Sequence, residues 1–123
     1  MVGEYINEII SVSIEVELET LDQIKKVFGK IENENTIKLC DGKVELRLIS
    51  TENNLAFDGS FTVELVLAFS IGIASGIVGN AFYAAICAGI KKIAINGRRT
   101  RITEESITEA LETVKNMESS SDH

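Results

Sequence analysis

From Ile10 to Leu18 the chain alternates without interruption. Ile10, Val12, Ile14, Val16 and Leu18 are apolar, and Ser11, Ser13, Glu15 and Glu17 between them are polar. A period of two puts successive side chains on opposite faces, so this segment predicts a strand buried on one side only. The period then changes. After Thr20, a candidate N-cap, the apolar residues Leu21, Ile24, Val27, Phe28 and Ile31 recur at helical spacing. Residues 36–49 return to alternation around Asp41-Gly42, a dipeptide suited to a two-residue type I′ turn because both positions need positive φ. Such a loop pairs Cys40 with Lys43, Leu39 with Val44, Lys38 with Glu45 and Ile37 with Leu46. Apolar then meets apolar on one face and Lys38 meets Glu45 on the other, whereas a one-residue slip would turn a core face outward.

Residues 51–60 read as loop. Phe61, Val63, Leu65 and Leu67 then alternate with Thr62, Glu64, Val66 and Ala68, and the second set turns apolar towards its end, as expected of a central strand. Asn96-Gly97 marks a second hairpin. Thr103 precedes a helix with Glu104 and Glu105 in its first turn, where acids suit the dipole, and with Ile107, Leu111 and Val114 as its buried stripe. The order is β-α-β-β-β-α-β-β-α. It predicts an α+β fold, a mostly antiparallel sheet of five to six strands with about three helices, one of them long, apolar and buried. Residues 1–117 form one domain in this reading, and residues 118–123 a disordered tail.

Between Glu64 and Lys91 the chain carries no charge. About 20 apolar residues suffice to span a bilayer, so the run could be a transmembrane helix. Lys91, Lys92, Arg98, Arg99 and Arg101 follow it while acids dominate before it, which would put the C-terminus in the cytoplasm. Gly72 and Gly76 also have the spacing of membrane helix contacts. A buried helix accounts for more of the sequence. The alternation at 61–69 consumes the first part of the run, and Ser70, Ser75, Asn80, Tyr83 and four glycines occupy the rest. On this reading the helix opens at Ser70, or as late as Ala74, and ends near Ile90. Gly76, Gly79 and Ala84 let it lie against the sheet, and Gly76→Leu is expected to overpack that contact.

At 123 residues, with 45 % apolar and 25 % charged residues, the chain is large enough to bury a core without staples. The N-terminus MVGEYINEII lacks a basic region followed by an apolar core, so no signal peptide is expected, and a reducing cytoplasm is the expected compartment. Cys40 and Cys87 sit among apolar neighbours at no metal-binding spacing. The single histidine is His123, at the very end, which leaves a Ser-His-Asp or Cys-His arrangement without its base. The string SIGIASGIVGN follows a strand, but its glycines do not fit G-x-G-x-x-G and no Lys-Ser/Thr follows. No enzyme, cofactor or metal is therefore expected.

The net charge of −7 disfavours nucleic acid and anionic membranes and favours a basic partner. Two charge groups are candidates for partner binding. Glu15, Glu17 and Glu19 form an acidic set on the first strand, and Arg98, Arg99 and Arg101 a basic set on the second hairpin. Each set has an ordinary alternative as a solvated face, the acids also guarding a strand edge against pairing. The isolated chain is expected to be a monomer or weak dimer.

A strand, a Gly/Ala-rich uncharged helix, a short hairpin ending NGRR and an acid-started helix, over roughly residues 61–114, resemble the small effector-associated constant components of bacterial conflict systems. That resemblance implies an adaptor coupling to an effector module and carries over no catalytic residue. The small, acidic character is similar to that of immunity proteins that neutralise nuclease toxins. The leading expectation is a non-catalytic interaction protein, an immunity protein that covers a basic toxin's active site with an acidic surface. The alternatives are a conflict-system adaptor, a small membrane-anchored accessory protein and, last, an enzyme working through carboxylates alone.

Overall fold

The computed structural model describes residues 8–29, 35–54, 56 and 59–120. Six strands and three helices follow one another as β1 (Ile9–Leu18), α1 (Asp22–Phe28), β2 (Asn35–Leu39), β3 (Val44–Asn53), β4 (Phe61–Ser70), α2 (Ser75–Ile86), β5 (Ile90–Ile95), β6 (Arg98–Thr100) and α3 (Glu104–Ser120). The expected α+β class holds. The strands form one sheet in the order β2-β3-β4-β1-β5-β6, and every neighbouring pair is antiparallel.

The alternation of β1 becomes a two-sided sheet. Ile10, Val12, Ile14, Val16 and Leu18 are buried. Their pairing opposite Phe69, Leu67, Leu65, Val63 and Phe61 of β4 puts apolar rows on one face across the strands. Val44, Leu46 and Leu48 of β3 and Ile93 and Ile95 of β5 continue those rows. The same cluster takes in Ile24 of α1, Val78, Phe82 and Ile86 of α2, and Ile107 and Leu111 of α3. All three helices therefore cover one face of the sheet, and among the described residues no helix covers the other, which is called the bare face.

Side-chain hydrogen bonds lock the helices to one another. Gln23 Nε2 donates to the Ala85 carbonyl (2.7 Å), Ser75 Oγ to Glu112 (2.6 Å), Asn80 Nδ2 to Glu104 (3.1 Å) and Lys115 Nζ to the Ile73 carbonyl (2.7 Å). No buried side-chain nitrogen or oxygen among the described residues lacks a partner. That satisfies the requirement that buried polar groups be paired.

Both turns fall at the expected residues, and the first hairpin keeps its expected register from Leu39 outward. Leu39 faces Val44, Lys38 faces Glu45 and Ile37 faces Leu46. Asp41 and Gly42 have φ of 57° and 87°, and the Lys43 N–H donates to the Cys40 carbonyl (3.1 Å), as in a type I′ turn. The expected pairing of Cys40 with Lys43 does not form. Cys40 itself has φ of 51° and leaves the strand one residue early. At the second hairpin Asn96 and Gly97 have φ of 51° and 82°.

Four expectations are corrected. Residues 51–53 are strand rather than loop. A bulge between Leu48 and Ser50 resets the register so that Thr51, Glu52 and Asn53 pair with Val63, Thr62 and Phe61. Ladder bonding outweighs the poor strand preference of Glu52 and Asn53. The central helix is short, 12 residues, because β4 runs through Ser70 and a turn closed by the Ile73 N–H to the Ser70 carbonyl (3.0 Å) follows. Among the described residues no helix is long and apolar enough to cross a membrane. Gly76 and Ala84 face outward, and a Cβ on Gly76 would meet nothing within 4 Å. Of the glycines expected at this contact, Gly79 does make a close approach, but to Thr108 of α3 rather than to the sheet. Lastly, α3 continues through Ser120, so residues 118–120 extend the helix, while 121–123 and Ile31 lie outside the described residues.

Candidate functional site

The bare face is written by the polar half of each alternation. Ser11, Ser13, Glu15 and Glu17 of β1 lie between Ala68, Val66, Glu64 and Thr62 of β4 on one side and Ala94 and Lys92 of β5 on the other. Glu15 is directly opposite Glu64. In the next row Glu17 faces Thr62, which in turn faces Glu52 of β3. Four carboxylates thus share one end of the face. Like charges directly opposite each other on neighbouring strands oppose folding rather than support it.

Cations border this acidic end. Lys92 pairs with Glu17, and Arg99 of β6 pairs with Ala94, the residue opposite Glu15. Together they border a shallow groove of about 310 Å³, lined by Glu15, Glu17, Thr62, Lys92, Gly97 and Arg99. Arg47 pairs with Glu45 (3.7 Å) on strand β3. Neither Lys92 nor Arg99 reaches the carboxylates that closely.

Turn chemistry places the basic border. Asn96 tolerates a left-handed backbone better than most residues. Its N–H donates to the Ser13 carbonyl (2.7 Å), and its side-chain oxygen accepts from the Ser13 N–H (2.9 Å). Asn96 thereby continues the β1 ladder past the end of β5 and fixes the hairpin beside the acidic rows.

Of the residues expected to bind a partner, the structure brings together Glu15, Glu17 and Arg99. Glu19 does not join them, because β1 ends at Leu18 and Glu19 lies exposed on the way to α1. Arg98 pairs with buried Ile95 and so lies on the helix side of the sheet. Arg101 is exposed beyond the end of β6. The basic set is therefore divided between two sides. Glu64 and Glu52 belong to the face although sequence reasoning passed over them. The alternation of β4 already put Glu64 on a polar face, but only the strand order sets it beside Glu15. Glu52 needed the bulge.

Burial pushes the Cys87 thiol up to about 12, so it is protonated at neutral pH and is no nucleophile there. Cys40 is partly exposed at the first hairpin turn, and both thiols are free. No three His, Cys, Asp or Glu side chains among the described residues are grouped to hold a metal ion. His123 lies outside the described residues. The arrangement offers a charged, flat surface suited to binding.

Comparison with protein-family models, with curated proteins and with solved structures returns no match.

Proposed function

We propose that this chain is a non-catalytic binding protein that docks a basic protein partner on the bare face of its sheet. The observation that carries the proposal is the cross-strand pair Glu15–Glu64, with Glu17 and Glu52 in the adjoining row. Nothing in folding calls for two carboxylates facing each other at the centre of a sheet. A cationic partner would relieve their repulsion, and the long-range field would speed its arrival. The specific form proposed is an immunity protein, whose acidic rows cover the active site of a basic toxin in a bacterial conflict system. The adaptor reading draws on a different observation. Lys92 and Arg99 give the same groove a border of the opposite sign, which suits a partner of mixed charge.

Co-expression with basic proteins encoded beside this gene tests the proposal. The wild-type chain is expected to form a complex that weakens with salt and to suppress any toxicity of its partner. The doubly reversed variant, Glu15→Lys with Glu64→Lys, is expected to fold and to do neither. Full protection by that variant would overturn the assignment of the face.

A further inference from the structure

A second surface lies at the β6 edge of the sheet, on the helix side. β6 ends the strand order, so its outer edge has no strand neighbour among the described residues. The two-residue turn at Asn96-Gly97 makes Ile95 and Arg98 the hydrogen-bonded pair of the hairpin. The N–H and carbonyl of Arg99 consequently point away from β5, towards any strand laid alongside. Next to this edge, between β6 and α3, runs a groove of about 370 Å³ whose apolar lining includes Ile95, Ala110, Val114 and Met117. Met117 is 64 % exposed there, a large apolar side chain with no cover. Arg98 stands on the groove side of β6, and Arg99 is directed to the other face.

These features specify an occupant. An extended segment added to β6 would alternate its side chains between the two sides. Those on the helix side would enter the apolar groove. Those on the other side would stand beside Arg99, where carboxylates are favoured. A second copy of this chain added through its own β6 would bring like-charged arginines together, which disfavours it. We infer that the β6–α3 edge captures an extended peptide segment of a partner protein, with apolar and acidic residues in alternation, by adding it as a seventh strand. Main-chain bonds to Arg99 would supply affinity, and the groove and the arginines would supply selectivity. This surface shares Arg99 with the groove beside the acidic rows, but its occupant lies along the outer edge of β6 and does not depend on what the acidic rows bind.

The test uses the full chain and a short capped, fluorescently labelled peptide of alternating valine and glutamate. Saturable binding is expected, with the Arg99 amide among the most perturbed in an NMR titration. Met117→Glu and Arg99→Glu alter exposed side chains and should leave thermal unfolding near wild type. Each is expected to weaken binding by about tenfold or more. Methylating alternate peptide nitrogens should abolish binding, since it removes the strand's donors. The variant Glu15→Lys with Glu64→Lys should retain it, so failure of this inference and failure of the acidic-face reading can be told apart. Three results would overturn the inference: no saturable binding up to millimolar peptide, undiminished binding of the methylated peptide, or indifference to both Met117→Glu and Arg99→Glu. Dimerisation of the chain alone that the peptide competes away would assign the edge to a second copy instead.

Discussion

Gly79 lets α2 lie close against α3. A Cβ there would collide with the Thr108 hydroxyl and lie 3.2 Å from the Thr108 backbone. Gly79→Ala is therefore expected to destabilise the fold by about 1–3 kcal/mol, and Thr108→Ala should recover part of that loss in a double-mutant cycle. Gly76, three residues earlier in the same helix, faces open space. Gly76→Ala should be neutral or stabilising by up to about 1 kcal/mol, because glycine is a poor helix former. Chemical denaturation of the wild type and the four variants checks both statements. The sequence named both Gly76 and Gly79 as close-packing positions against the sheet but could not tell them apart, since that depends on where α3 lies. Cys87 offers a second residue-scale test. Its thiol keeps its proton in the folded state up to about pH 12, while the unfolded chain loses it near 9.0. Above pH 9.0 the folded state thus holds the extra proton, and stability falls as pH rises towards 12. Cys87→Ser should flatten that decline in denaturation midpoints measured across the alkaline range. In native protein at neutral pH, Cys40 should alkylate well before Cys87.

At the scale of elements, hairpins and strands were the most legible parts. Asp41-Gly42 and Asn96-Gly97 identify their turns because few other residue pairs accept two consecutive positive φ angles. The period of two assigned residues 10–18 of β1 to their correct faces. What stayed hidden was non-local. The bulge at Leu48/Ser50, which makes strand of Thr51–Asn53, depends on β4 lying alongside. The end of β4 at Ser70, which shortens α2, depends on β1 and β3 pairing along its length, with Ser70 facing Ile9. Apolar composition alone cannot divide an uncharged run between strand, turn and helix. The β5–β6 hairpin also shows how one side chain can set the place of an element. Asn96→Ala would remove the acceptor of the Ser13 N–H and put a Cβ-bearing residue without a local polar group at φ 51°. The expected cost is about 1–2 kcal/mol. Asn96→Gly, which keeps the backbone free, should cost less. Both should speed hydrogen exchange at the Ser13 amide, and exchange rates read by NMR check the ranking.

At the scale of the molecule, the charge pattern separates folding from binding. The Glu15–Glu64 pair sits on a face that the core does not use, so Glu64→Gln should stabilise the isolated protein, by about 0.2–1 kcal/mol. The gain should shrink as salt screens the repulsion. The same substitution should weaken a basic partner. Thermal unfolding at low and high ionic strength, run beside a binding assay, would show the two effects in opposite directions. Half of this candidate site was readable in the chain: Glu15, Glu17 and Arg99 stood out by charge and position. Glu64 and Glu52 were not, because strand order and a bulge, neither of them a local property, bring them in.

Placing all three helices on one side of the sheet has a further consequence. On the covered side, a residue that resists replacement does so for reasons of packing, and its intolerance says little about biology. On the uncovered side, Ser11, Ser13, Val66 and Ala68 form a surface of modest side chains on which no described element of the fold rests. Saturating substitution scored for survival in the native setting would find that surface largely permissive if folding were its only duty. Any position there that selection refuses to vary would be a footprint left by something outside the molecule. The outline of such refusals would give the size and shape of the visitor before it had been identified.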